Sequence, residues 1–225
     1  MKVLSSHAVM EVLNALGPAF ERESGVKLSV SYDPANVLKR RIDDGEAFDV
    51  AIATRAVLDA LVVSGKILAH TRVDLGRSGL GVSVRKGMAK PNIATVESFK
   101  TALLAAKSIV RSRDGASGIY FAKLLDKLGL AEALRDRIVL GPSGRVAALV
   151  ANGETELAVQ QISELLPVEG ADFVGPFPRE LQLYSMFSAG IGSGCKQRAP
   201  AKQLLSALAS PAAAVLFKAS GLEPV

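Results

Sequence analysis

The sequence predicts an α/β fold, with mainly parallel sheets carrying helices on both faces. Three observations carry this: short apolar runs alternate with helical patterns, helix ends carry their own residue chemistry, and no low-complexity tract interrupts the alternation. The strand candidates in order are Val3-Leu4, Leu28 to Tyr32, Phe48 to Ala53, Gly81 to Val84, Ser108 to Val110, Ile138 to Leu140, Leu157 to Val159, Phe173-Val174 and Leu183 to Phe187. Most lead into a helix. Val9, Val12, Leu13 and Leu16 share one helical face, as do Phe121, Leu124, Leu125 and Leu128, and then Val146, Leu149 and Val150.

The helix ends follow the same logic. Asp33 before Pro34 reads as a cap with proline in the first turn, and Gly45 ends that helix. Ser117 reads as the cap of the helix that Gly129 closes, and Ser143 with Asn152-Gly153 repeats the arrangement. Ser210-Pro211 opens a last helix that Gly221 closes. With no flexible linker in sight, two domains would have to be joined by strands crossing between them.

A chain of 225 residues with 49% hydrophobic residues has ample core for one large domain or two small ones. No apolar run approaches the roughly 18 residues that span a bilayer. The first twenty residues hold Ser5, Ser6, His7, Glu11 and Asn14, not a continuous leader core. The expectation is a chain without direct membrane insertion, cytoplasmic if Met1 is its native start and periplasmic if a leader has been removed. Cys195 is alone and the histidines are His7 and His70, which argues against a disulfide or a zinc site. The net charge of +5 is spread over 27 basic and 22 acidic residues, and eight Phe, three Tyr and no Trp leave little for base stacking. A small anion fits this charge better than nucleic acid does.

In open α/β sheets, ligand groups sit just past the carboxyl ends of strands, where helix N-termini aim free N–H groups outward. Ser5, Ser6 and His7 follow the first strand, and Thr54 follows FDVAIA. Arg113, Ser117 and Gly118 follow SIV, Arg145 follows IVL, and Gln160 and Gln161 follow LAV. Hydroxyls and helix-end amides there can hold an anion. Each loop also has a plain reading in which serine or threonine caps a helix and arginine is solvated. Asp33 is a cap on this reading.

Enzyme motifs are not found. GRSGLG at 76–81 and GIGSG at 190–194 lack the dinucleotide-binding spacing and read as turns. His7 beside Ser5 and Ser6 cannot make a triad by sequence proximity, and no partner can be named for Cys195 as a nucleophile. No cofactor is implied.

The chain resembles the molybdate-binding type of substrate-binding protein, with the type II periplasmic binding protein fold. The matching stretches are VLSSHAVMEVLNALGPAFERESGVKLSVSY, FDVAIATRAVLDALVVSGKI, DGASGIYFAKLLDKLGL, GRVAALVANGETELAVQQISELL and LLSALASPAAAVLFKASGLEPV. The resemblance implies two α/β lobes joined by two crossing strands, LGVSV and LYSMF. It places lobe 1 at residues 1–84 and 184–225 and lobe 2 at 85–183. It further implies a small anionic ligand held in the cleft between lobes by hinge closure, an ABC-transporter permease as partner, and a monomer. Three departures shape the ligand. Ala8 stands where the family has a serine after the first strand, Asp33-Pro34-Ala35-Asn36 replaces a serine-rich loop, and Gln161 replaces a tyrosine. Arg77, Arg113 and Arg145 near the cleft loops fit a carboxylate, which a guanidinium fork can grip bidentately. Asn36 is a further candidate. The alternatives are a cytoplasmic enzyme acting on a small organic acid, isomerase or decarboxylase-like, and a ligand sensor on the same fold.

Overall fold

The computed structural model describes residues 1–225 except Ser143 and Arg145, so two expectations, Ser143 as a cap and Arg145 as a ligand group, lie outside the described residues. The chain runs β1 (Lys2–Ser5), α1 (Met10–Ser24), β2 (Ser29–Tyr32), α2 (Ala35–Asp43), β3 (Val50–Thr54), α3 (Arg55–Val63) and β4 (Val73–Ser78). It continues through β5 (Leu80–Arg85), α4 (Val96–Ala105), β6 (Ile109–Ser112), α5 (Ala116–Lys127), α6 (Ala131–Leu134) and β7 (Ile138–Gly141). Next come α7 (Val146–Ala151), β8 (Leu157–Gln161), α8 (Ile162–Leu165) and β9 (Ala171–Pro176). The last elements are β10 (Ser185–Ile191), α9 (Arg198–Leu208), α10 (Pro211–Ala219) and β11 (Glu223–Pro224).

Two compact units result, Met1–Ser78 with Ser185–Val225, and Gly79–Tyr184. The first holds a six-stranded sheet in the order β11-β4-β10-β3-β1-β2, with β1 parallel to β2 and β3 and with β10 antiparallel to β3. Period-two alternation feeds both faces. Val3, Val50 and Ile52 pack with the apolar faces of α1, α9 and α10, while Leu4, Ala51 and Ala53 pack with α2 and α3. The second unit holds a five-stranded sheet, β7-β6-β8-β5-β9, with β6 parallel to β7 and β8. Leu157, Val159 and Ile109 join Phe121, Leu124 and Leu125 on one face, and Ala158 and Val110 join Val146, Ala147 and Val150 on the other.

The strand LGVSV belongs to the second sheet, where β5 pairs antiparallel with both β8 and β9, so the first unit gives way at Ser78-Gly79, six residues before the boundary expected at 84. GRSGLG is not a turn: Gly76 to Ser78 end β4, Leu80 and Gly81 start β5, and Gly79 alone lies between. Gly190 likewise lies inside β10. Ser210 caps α10 by accepting from the Ala213 N–H, and Pro211 stands in the first turn. Asp33 does not cap α2. Pro34 takes the N-cap position with no side-chain cap bond, and the Asp33 carboxylate instead pairs with Arg41. Ser117 is not a cap either: Gly115 is the N-cap, and Ser117 lies inside the first turn of α5, buried.

Candidate functional site

In the first unit, β1, β2 and β3 run parallel, and their register sets Ser5 beside Tyr32 and Ile52. The carboxyl ends of three strands therefore share one edge. The chain leaves β1 tightly tethered there: the Ser6 N–H donates to the Ile52 carbonyl at 2.7 Å, and the Asp33 N–H to the Ser5 carbonyl at 3.1 Å. Ser5 and Ser6 are buried. Ser5 Oγ donates to the Ser6 carbonyl at 3.1 Å, and Ser6 Oγ accepts from the Ala8 N–H at the start of a 3₁₀ turn, His7–Val9, that runs directly into α1. The His7 ring, half-buried, lies 6.2 Å from the ring of Tyr32. Burial, aided by the nearby Glu11 charge, pushes the Tyr32 hydroxyl up to about 12, so it stays a neutral donor. Asn36 is exposed in the first turn of α2, and Thr54 is the N-cap of α3 without a side-chain cap bond.

Arg77 stands apart from these loops. It lies on β4 between β10 and β11, and its guanidinium pairs with Glu223 through Nε at 2.7 Å and Nη2 at 2.6 Å. The charge beside the strand-end loops is also matched. Arg41 holds Glu46 through two hydrogen bonds of 2.6 and 2.7 Å and pairs with Asp33, so the Asp33 charge next to Ser5 has a counter-charge.

The second unit repeats the layout with a different chemistry. The carboxyl ends of β6, β7 and β8 share an edge that gathers the buried side chains of Ser112, Ser117, Gln160, Gln161 and Ser163. This edge is unusually polar for a closed interior. The hydroxyl of Ser112 and Oε1 of Gln160 are buried without a hydrogen-bond partner among the described residues. Gln160 Nε2 donates to the carboxylate of Glu164, and burial pushes the Glu164 carboxyl up to about 7. Arg113 is exposed, its N–H donating to the Gly141 carbonyl at 3.3 Å. Gly118 is buried at the third position of α5, and Arg111 ties the turn by donating from Nη1 to the carbonyls of Ser112 at 3.3 Å and Gly118 at 3.2 Å.

The structure thus groups Ser5, Ser6, His7 and Thr54 at one strand-end edge, with Asn36 in the adjacent helix turn, and Arg113, Ser117, Gly118, Gln160 and Gln161 at the other. Ser112 and Glu164 were missed. Ser112 was legible as the inward residue two after Val110 on an alternating strand; Glu164 had only its four-residue spacing from Gln160. Cys195 is buried and its thiol is pushed up by desolvation, which leaves it a poor nucleophile. Among the described residues no group of three or more His, Cys, Asp or Glu could hold a metal ion, and no helix is long and apolar enough to cross a membrane.

Two α/β units, one discontinuous in sequence, each with helix mouths and hydroxyls at the carboxyl edge of its sheet, define the type II periplasmic binding protein class. The chain belongs to the bacterial extracellular solute-binding protein family, whose model matches residues 1–223. It is similar to an aconitate isomerase from Pseudomonas sp, with 36% identity over 231 residues, all of this chain and 88% of that one. It is also similar to the molybdate-binding protein ModA of Escherichia coli (strain K12), at 25% identity over 97% of this chain and 87% of that one. Among solved structures, the periplasmic molybdate-binding protein of Azotobacter vinelandii superposes with a TM-score of 0.82 at 21% identity, covering 99% of this chain and 98% of that one.

Proposed function

We propose that the protein is a solute-binding protein for a small organic acid, held by the strand-end loops, with hinge closure on binding. The observation that carries this reading is the polar edge of the second sheet: Ser112, Ser117, Gln160 and Gln161 buried side by side at a helix mouth, with the Arg113 cation exposed beside them. Free N–H groups and hydroxyls suit any oxyanion, whereas an added guanidinium suits a carboxylate. Support for the organic acid over a metal oxyanion also comes from the relative named for aconitate, an unsaturated tricarboxylate, whose identity to this chain is the higher of the two curated relatives described above.

A second reading, an isomerase, is favoured by that same relative. Moving a proton along a carbon skeleton requires a group able to take and return it near neutral pH, and the Glu164 carboxyl at about 7 has a suitable affinity.

One experiment addresses both. The protein is titrated with cis-aconitate and separately with molybdate by calorimetry, and the cis-aconitate mixture is followed by proton NMR. Binding with the ligand unchanged supports the solute-binding reading, and appearance of the trans isomer supports the enzyme. Binding of molybdate with no response to cis-aconitate overturns the organic-acid assignment. Small-angle scattering that shows the same dimensions with and without saturating cis-aconitate would remove hinge closure.

A further inference from the structure

The second unit carries another concavity, at the amino edge of its sheet. It lies where β6 and β8 begin, at Ser108 and Leu157, the opposite end of those strands from Ser112 and Gln161. It is therefore separate from the candidate site. Its volume of about 590 Å³ falls inside the range of roughly 300–1,000 Å³ usual for small-molecule sites. The segment after β5, the end of α4 and the loop before β8 form its walls, and the surface is mostly apolar, with Val84, Met88, Ala102, Ala106 and Leu157 contributing.

Three cations stand on this apolar groove. Arg85, Lys90 and Lys107 line it, all exposed, and none of them is in an ion pair among the described residues. The Arg85 guanidinium lies over Gly153, close enough that a β-carbon there would meet Nη1 at 3.1 Å. Two carboxylates share the rim and are already engaged: Glu156 accepts from the Lys107 N–H at 2.7 Å, and Glu154 from Asn152 Nδ2 at 3.3 Å. Thr155, which also lines the groove, is 6% exposed and its hydroxyl is buried with no hydrogen-bond partner among the described residues.

We propose that this groove is a second binding site, for a small amphipathic monocarboxylate whose apolar body lies on the Val84, Ala102 and Leu157 wall and whose carboxylate is taken by Arg85 and Lys90. The chemistry selects that class. Free cations over an apolar floor leave a neutral hydrocarbon without a partner for the rim, and a small hydrophilic anion without a use for the floor. Glu154 and Glu156 disfavour a polyanion, because three positive and two negative side chains leave one net positive charge. This site does not depend on the ligand of the strand-end loops.

Octanoate is the probe, measured by calorimetry against the intact protein, with acetate and octanol as controls for charge alone and chain alone. The expected result is saturable octanoate binding at least about tenfold tighter than either control, close to 1.4 kcal/mol. The double substitution Arg85→Gln with Lys90→Gln should weaken octanoate by at least about tenfold. Ala105→Trp, at an exposed position on the groove wall, should block it, and saturating cis-aconitate should leave it unchanged. Absence of octanoate binding, equal binding of octanol, or wild-type affinity in both variants overturns the site.

Discussion

Gly118 is packed so tightly on Ser112 that a β-carbon at position 118 would overlap the Ser112 carbonyl oxygen and lie 2.9 Å from its carbonyl carbon. The contact joins the last residue of β6 to the first turn of α5, and Arg111 locks it by donating to both carbonyls. Ser112 and Gly118 therefore fix where the helix mouth stands relative to the sheet edge. Gly118→Ala should cost about 1–3 kcal/mol, the usual range for overpacking, because backbone cannot move aside as a side chain can. Gly194→Ala, where a β-carbon meets nothing within 4 Å, should stay within about 0.5 kcal/mol. Denaturant unfolding of both variants measures the difference, and similar costs would mean the mouth is free to shift.

Arg113 is exposed beside that mouth, and among the described residues only its backbone N–H is engaged, on Gly141. Truncating an exposed side chain here should leave the fold's stability nearly unchanged. Arg113→Ala should leave the unfolding midpoint unchanged while weakening cis-aconitate by about 1.5–3 kcal/mol, the range for a hydrogen bond to a charged group. Calorimetric titration checks it; wild-type affinity would take Arg113 out of the site.

The acid side of the stability profile should carry the mark of Arg41. Its hydrogen bonds, with help from Lys2, hold the Glu46 carboxyl at about 2, below the ordinary 4.5. A carboxylate lowered on folding stabilises the fold above its unfolded value, and that contribution is lost as pH falls from 4.5 toward 2. Glu46→Gln should flatten the loss of stability in this window and leave the slope above pH 5 as it was. A thermal midpoint series in acid buffers reads this directly, and an unchanged acid limb would deny the pair its role.

Each apolar run proposed from the sequence lies in or overlaps a strand, because burying Val3-Leu4 or Leu157 to Val159 on two faces leaves few alternatives to a covered sheet. Strand β4 was not legible. Its sequence, VDLGRS, mixes charge with apolar residues, and it stands in the sheet through pairing with β10 and β11 and through the Arg77–Glu223 ion pair, 146 residues apart. Asp33 was misread for a related reason: capping is local, but α2 returns Arg41 to the Asp33 carboxylate, and that charge outcompetes the backbone N–H. At the site, loops were legible from strand ends and Ser112 from strand alternation, while Glu164 became visible only when its fold neighbours desolvated a carboxyl the local pattern had left neutral.

The last prediction concerns that half-buried acid. Glu164 follows β8 on the short helix α8, and Gln160 Nε2 donates to its carboxylate, while Gln160 Oε1 has no partner among the described residues. Desolvation raises the carboxyl from 4.5 to about 7, against the opposing pull of that hydrogen bond. The folded state thus keeps a proton that the unfolded chain gives up. This contribution to stability is complete below pH 4.5 and disappears as pH rises through 7. Glutamine at this position mimics the protonated acid and keeps an acceptor for Gln160 Nε2. Glu164→Gln should therefore match the wild type at pH 4.5, exceed it at pH 8 by on the order of 1–3 kcal/mol, and remove the slope between. Urea unfolding at three or four pH values tests the sign as well as the size. A variant less stable than the wild type at pH 8 would mean that the ionised carboxylate is satisfied in the fold, and Glu164 would then be an unsuitable proton carrier for the isomerase reading.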